Sequence, residues 1–114
     1  MRIFLGQRAW LLQRLTALLI LLFVVLGAAG LLAGATPSYV QWHAFASSSL
    51  GAVLIVLFFG ALCLHAWIGI RDIVLDYVHA PGVRLPLLAL IGIILCAVLL
   101  RVALTMAAHF LPGA

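Results

Sequence analysis

Charge is what this sequence has least of. Of its 114 residues only 7% are charged, namely six arginines and two aspartates, with no lysine. Against 68% hydrophobic residues and a mean hydropathy of +1.41, that leaves too little polar surface to clothe a water-soluble domain. The length allows one domain and leaves no room for a separate soluble catalytic one. The arginines are scattered, with no basic run, so the net charge of +4 does not describe a nucleic-acid surface. The two cysteines, Cys63 and Cys96, sit inside apolar runs without a CxxC-type neighbour. That argues against a disulfide framework or a thiolate metal site, and both read as inert small apolar residues. Internal repeats, low-complexity tracts and linkers are also missing.

What the sequence does have is three long apolar stretches, about 11–33, 45–70 and 85–111. Each exceeds the ~20 residues that a helix needs to cross a hydrocarbon core of ~30 Å. In lipid the backbone must satisfy its own hydrogen bonds, so each is expected to be a helix. The first follows Arg2, Arg8 and Arg14 and ends in small residues, as a signal peptide does. Its apolar run is longer than the usual ~7–15 residues, which favours a retained span. The expected fold is an all-α membrane protein with three transmembrane helices in a single domain, 1–114, the second helix continuing to residue 76. Arg2 and Arg8 in the N-terminal tail, and Arg71 and Arg84 around the second connection, place the N-terminus and that connection inside and the C-terminus outside. Trp10, Tyr39, Trp42, Trp67 and Tyr77 are read as interfacial aromatics near helix ends, and Ser47-Ser48-Ser49 as the cap that starts the second span.

Polar residues inside a membrane are expensive and call for a reason. The densest group runs from His65 to Val78 and holds both acids, Asp72 and Asp76. At 100° per residue, Asp72 lies about −20° and Asp76 about +20° from His65 around a helix, with Gly69 close to the same stripe. Asp76 is about 16 Å further along the axis, at the inner edge. An apolar-embedded imidazole is a natural axial ligand for haem iron, and is equally a hydrogen-bonding partner for a neighbouring helix. His43, His79 and His109 belong near the interfaces, so a bis-histidine site would need its second ligand from another chain. Asp72 is read as pairing with a local arginine. Arg101, deep in the third segment, either snorkels outward or meets a neighbouring protein chain. Gly30 and Gly34 have the spacing that permits close helix contact, a common pattern in glycine-rich apolar sequence.

The runs His65-Ala66-Trp67-Ile68-Gly69 and Asp76-Tyr77-Val78, with Arg14-Leu15-Thr16-Ala17 ahead of them, resemble the hydrophobic membrane-anchor subunit of bacterial succinate dehydrogenase. The specific match covers about fourteen residues, His65 to Val78, and the architecture covers most of the chain. The resemblance implies that His65 ligates haem b, shared with a histidine of the cytochrome b-type subunit. It implies that Tyr77 hydrogen-bonds a ubiquinone carbonyl, that Asp76 supports the proton supply, and that Arg14 lies near the haem propionates or the quinone pocket. The flavin and the iron–sulfur clusters then belong to separate flavoprotein and iron–sulfur subunits, in the bacterial inner membrane. This chain docks them and does not itself oxidise succinate. Two other readings stand beside that one: a fumarate reductase anchor working with menaquinone, and a cofactor-free small bundle serving transport or assembly.

Overall fold

In a computed structural model the chain is described over residues 2–111, with side chains from residue 7 onward. The side chain of Arg2 and residues 112–114, which include the C-terminus expected outside, lie outside the described residues. Four helices follow one another: α1 (Arg2–Leu32), α2 (Tyr39–Ser47), α3 (Ser49–Tyr77) and α4 (Pro81–Ala108). Three of them contain segments long and apolar enough to span a membrane, Gln7–Leu32, Ser49–Tyr77 and Pro81–Ala108. The protein is therefore an all-helical membrane protein with three candidate spans.

The connections differ from the expected ones for identifiable physical reasons. The first helix begins well before its apolar run, because a helix does not end where the hydrocarbon does. At 31 residues α1 is roughly 46 Å long, against a core of ~30 Å. It closes with a paired cap: Ala35 N–H donates to the Gly30 carbonyl at 2.9 Å and Gly34 N–H to the Leu31 carbonyl at 3.1 Å. This geometry needs a left-handed residue at Gly34, whose φ is +91°. Gly30 and Gly34 thus serve the helix end, and neither has a neighbour within 4 Å of where a Cβ would stand. The segment 34–44, expected as a loop, contains most of α2. Ser38 starts that helix with a reciprocal cap, its hydroxyl accepting from Gln41 N–H while the Gln41 side chain accepts from Ser38 N–H.

Ser48 breaks the chain between α2 and α3. Its hydroxyl donates to the Phe45 carbonyl at 2.6 Å and accepts from Gly51 N–H at 3.1 Å, so it closes one helix and caps the next. At the other end α3 runs on to Tyr77, and only Val78–Ala80 separates it from α4. Pro81 stands at the start of α4, where its missing N–H costs nothing.

α3 is the hub, packed against α1, α4 and α2. Its buried residues are mostly small: Gly51, Ala52, Ala61 and Cys63, with Ile68 and Val74. Small side chains let helices approach in lipid, where apolar burial itself drives nothing. Phe23 of α1 meets Phe58 of α3 with ring centroids 5.5 Å apart. Trp67 lies ten residues inside the end of α3 and packs on α4, its ring 3.5 Å from the Cβ position of Gly92. It is a helix–helix packing residue as well as an aromatic one turn before Arg71. In the most apolar windows of α1, α3 and α4 only 6%, 11% and 0% of residues are buried, so lipid or other proteins must cover almost the whole bundle.

Gly51 is the position at which this packing tolerates nothing larger. A Cβ there would overlap the Phe45 carbonyl. Gly51→Ala is expected to force the α2–α3 corner open and lower stability by about 1–3 kcal/mol, as overpacking does. Gly27→Ala, where a Cβ meets nothing within 4 Å, is the control and should be neutral or mildly stabilising. Thermal unfolding in detergent of the two variants side by side reads the difference; equal melting would show that the corner yields freely.

Candidate functional site

The seam between α1 and α3 carries the polar contacts of the bundle. Thr16 of α1 is 7% exposed, the one buried polar residue among those described. Its Oγ1 lies 3.1 Å from Nδ1 of half-buried His65 on α3. One turn earlier on α1, Gln13 lies over Gly69, where a Cβ would stand 3.4 Å from the Gln13 amide nitrogen. Gly69 leaves room for that amide, which explains a glycine on the same stripe as His65. Gln13 Oε1 is sealed from solvent without a hydrogen-bond partner, as is Arg71 Nε further along α3.

Toward the end of α3 the side chains become charged. Arg71 pairs with Asp72 at 3.3 Å, an exposed neighbouring pair of little energetic weight. Asp72 thus has the local arginine expected for it, and Asp76 is left exposed with no ion pair among the described residues. Tyr77 is the last residue of α3 and is 79% exposed. It lies about 18 Å along the helix axis from His65 and about 120° around it, so the two do not share a pocket within this chain. Half-buried Arg84, in the first turns of α4, donates from Nε to the Val78 carbonyl at 3.0 Å. That bond satisfies a carbonyl at the end of α3 and ties the connection beside Asp76 and Tyr77 to α4.

Arg14 is placed differently from the other candidates. Two residues from Thr16, it points about 160° away around α1. Its guanidinium is exposed and lies over the Trp10 ring, 5.5 Å from the centroid. The Arg14-Leu15-Thr16-Ala17 motif draws attention to its arginine, whereas the contact with His65 comes from its threonine. Arg84 and Gln13 carry no sequence signal beyond their polarity, because their contacts depend on helix register.

The remaining histidines fall at the ends of the bundle. His43 on α2 and His109 after α4 meet edge to face with centroids 5.6 Å apart, and His79 lies in the Val78–Ala80 connection. None shares the depth of His65. Among the described residues no three histidine, cysteine or acidic side chains cluster closely enough to hold a metal ion. An open apolar furrow of about 550 Å³ runs over α3 between α1 and α4; Thr16, Gly60, Leu64 and Leu99 line it. His65 is a single imidazole in an apolar span, with Nδ1 engaged by Thr16 and Nε2 without a hydrogen bond among the described residues, a donor that would fit a haem iron only if another chain held its other side.

Comparison with known proteins bears on this arrangement. A family model described as the succinate dehydrogenase/fumarate reductase transmembrane subunit matches residues 1–101. The chain is 37% identical over 90 residues to the succinate dehydrogenase hydrophobic membrane anchor subunit of Coxiella burnetii (strain RSA 493 / Nine Mile phase I). That match takes in 79% of this chain and 78% of the relative.

Proposed function

The chain belongs to the succinate dehydrogenase/fumarate reductase transmembrane subunit family, as a membrane-anchor subunit, and we propose that it completes both a haem b site and a ubiquinone site in that complex. The observation that carries the proposal is His65: an imidazole held in an apolar span through one nitrogen, with the other not hydrogen-bonded among the described residues. His65 would hold the haem iron from this chain, and a histidine of the cytochrome b-type subunit would hold it from the other side of the interface. A haem held there would supply one-electron chemistry. The flavoprotein and iron–sulfur subunits dock at the inner surface of a bacterial cytoplasmic membrane, where Arg71 and Arg84 lie, and deliver electrons from succinate.

At that surface this chain's residues act on the quinone, which is a substrate and needs two protons for its two electrons. The Tyr77 hydroxyl donates a hydrogen bond to a quinone carbonyl oxygen and holds the head group at the membrane edge. The exposed Asp76 carboxylate, one residue away, connects that oxygen to bulk water for proton supply. Arg84 keeps the connection in place through the Val78 carbonyl. The exposed Arg14 guanidinium is open to an anionic group, and in this reading it lies near the haem propionates or the quinone pocket. The family name also covers fumarate reductases, which run the reaction the other way, with menaquinone in the second reading. Extraction of the bound quinone separates the two.

Three outcomes test the proposal. The arginine distribution puts the N-terminus inside and the C-terminus outside, so reporter fusions to the C-terminus should read as external; an internal signal reverses the orientation and moves Tyr77 to the wrong side. His65→Ala should alter the b-type haem spectrum of the purified complex, and an unchanged spectrum and midpoint potential would remove His65 from the haem site and favour a cofactor-free bundle. Tyr77→Phe keeps the ring and deletes one hydrogen bond, worth ~0.5–1.5 kcal/mol. It should cut succinate-dependent quinone reduction severalfold, while succinate oxidation by an artificial acceptor upstream of the quinone is preserved. Equal loss in both assays would mean damaged assembly, and no loss in either would leave Tyr77 an interfacial anchor only.

A further inference from the structure

Thr16 decides which nitrogen of His65 is free. Its hydroxyl carries one proton, and Oγ1 lies 2.8 Å from the Leu12 carbonyl and 3.1 Å from the Gln13 carbonyl, both on its own helix. Donation to the i−4 carbonyl is a common use of a helical threonine hydroxyl, and its β-branched side chain leaves few alternative rotamers. With the proton committed to the Leu12 carbonyl, Oγ1 can only accept from a third group. That group is His65 Nδ1 at 3.1 Å, and this arrangement assigns the ring proton to Nδ1. In a neutral imidazole the lone pair then sits on Nε2.

The geometry points to Thr16 as a positioning residue that fixes His65 in its Nδ1–H tautomer and presents Nε2 as the electron-pair donor. Thr16 acts through His65 and touches no cofactor. The tautomer follows from the hydrogen-bond geometry alone, whereas its consequence for haem rests on the reading of His65 as an axial ligand. An acceptor on Nδ1–H makes the ring a stronger donor through Nε2, which stabilises ferric over ferrous iron. Removing the acceptor should therefore raise the haem midpoint potential.

The test uses the complex purified with its native partners, in wild-type, Thr16→Val, Thr16→Ser and His65→Ala forms. Thr16→Val keeps the branched shape without the hydroxyl and is expected to shift the ferric-to-ferrous ratio at fixed potential about fivefold toward ferrous, ~40 mV upward at 59 mV per tenfold for a one-electron couple. Thr16→Ser keeps the hydroxyl and should return the potential to near wild type. If Thr16→Val does not assemble, Thr16→Ala reads the same shift. A potential unchanged by losing the hydroxyl, in a complex whose haem spectrum does respond to His65→Ala, overturns the positioning role. A spectrum indifferent to His65→Ala instead sinks the ligand reading. Nitrogen NMR of ring-labelled histidine in the same complex then still decides the tautomer: His65 is the signal missing from His65→Ala, and a protonated Nε2 refutes the inference.

Discussion

Among the described residues a single side-chain hydrogen bond joins one membrane-spanning helix to another, Thr16 to His65. In water such a contact would be one of many. In a hydrocarbon core it carries more weight, because neither group has water as an alternative partner. It sets how α1 is rotated against α3. With Thr16 facing His65, Gln13 falls over Gly69, and Arg14 turns to the opposite side and lies over Trp10. Had α1 been rotated by two residues, Arg14 would occupy the seam. The chain would then have buried a cation beside an imidazole, a far costlier arrangement.

The rest of the bundle is held by close approach at small residues, and it leaves most of its apolar surface uncovered. No described side chain is fully buried, and α4 has no buried residue at all. A three-helix chain with so little interior can order a cofactor only by sharing it. In the proposed reading its one embedded imidazole and its exposed terminal tyrosine are halves of sites, and the apolar furrow between α1 and α4 is open. Membership in a family of multi-subunit oxidoreductases gives that incompleteness a physical sense: the missing walls belong to other subunits.

The three spans were legible from hydropathy because the bilayer imposes one length on them, and the His65 to Val78 group stood out because polarity is rare there. What hydropathy could not supply is what happens at the membrane edge. α2 is anchored by the Ser38–Gln41 cap and not by an apolar run, and α3 passes Arg71 and Asp72 without ending because charged residues at the wet end of a helix are no obstacle to it. Trp67 reads as interfacial by residue type, and only the register of α4, with Gly92 opposite, reveals it as packing. The same limit applies within the site. A motif ranks Arg14 and Thr16 equally, while a helical rotation of about 200° between them separates an exposed cation from a buried hydroxyl.

α3 itself passes from dry to wet along one axis, and that gradient sorts the chemistry it can host. Around His65 lie Thr16 and, one turn along α3, Gly69, and the Thr16 hydroxyl is its one side-chain hydrogen-bond partner among the described residues. In the proposed reading this apolar stretch holds the group that exchanges single electrons. About 18 Å further on, Asp76 and Tyr77 stand in the open with Arg84 bracing the connection beside them. There a carbonyl oxygen that gains electrons can be met by a phenol and resupplied from solvent. In the proposed reading three turns of uninterrupted helix separate the stretch that would hold an electron carrier from the one that would meet the quinone.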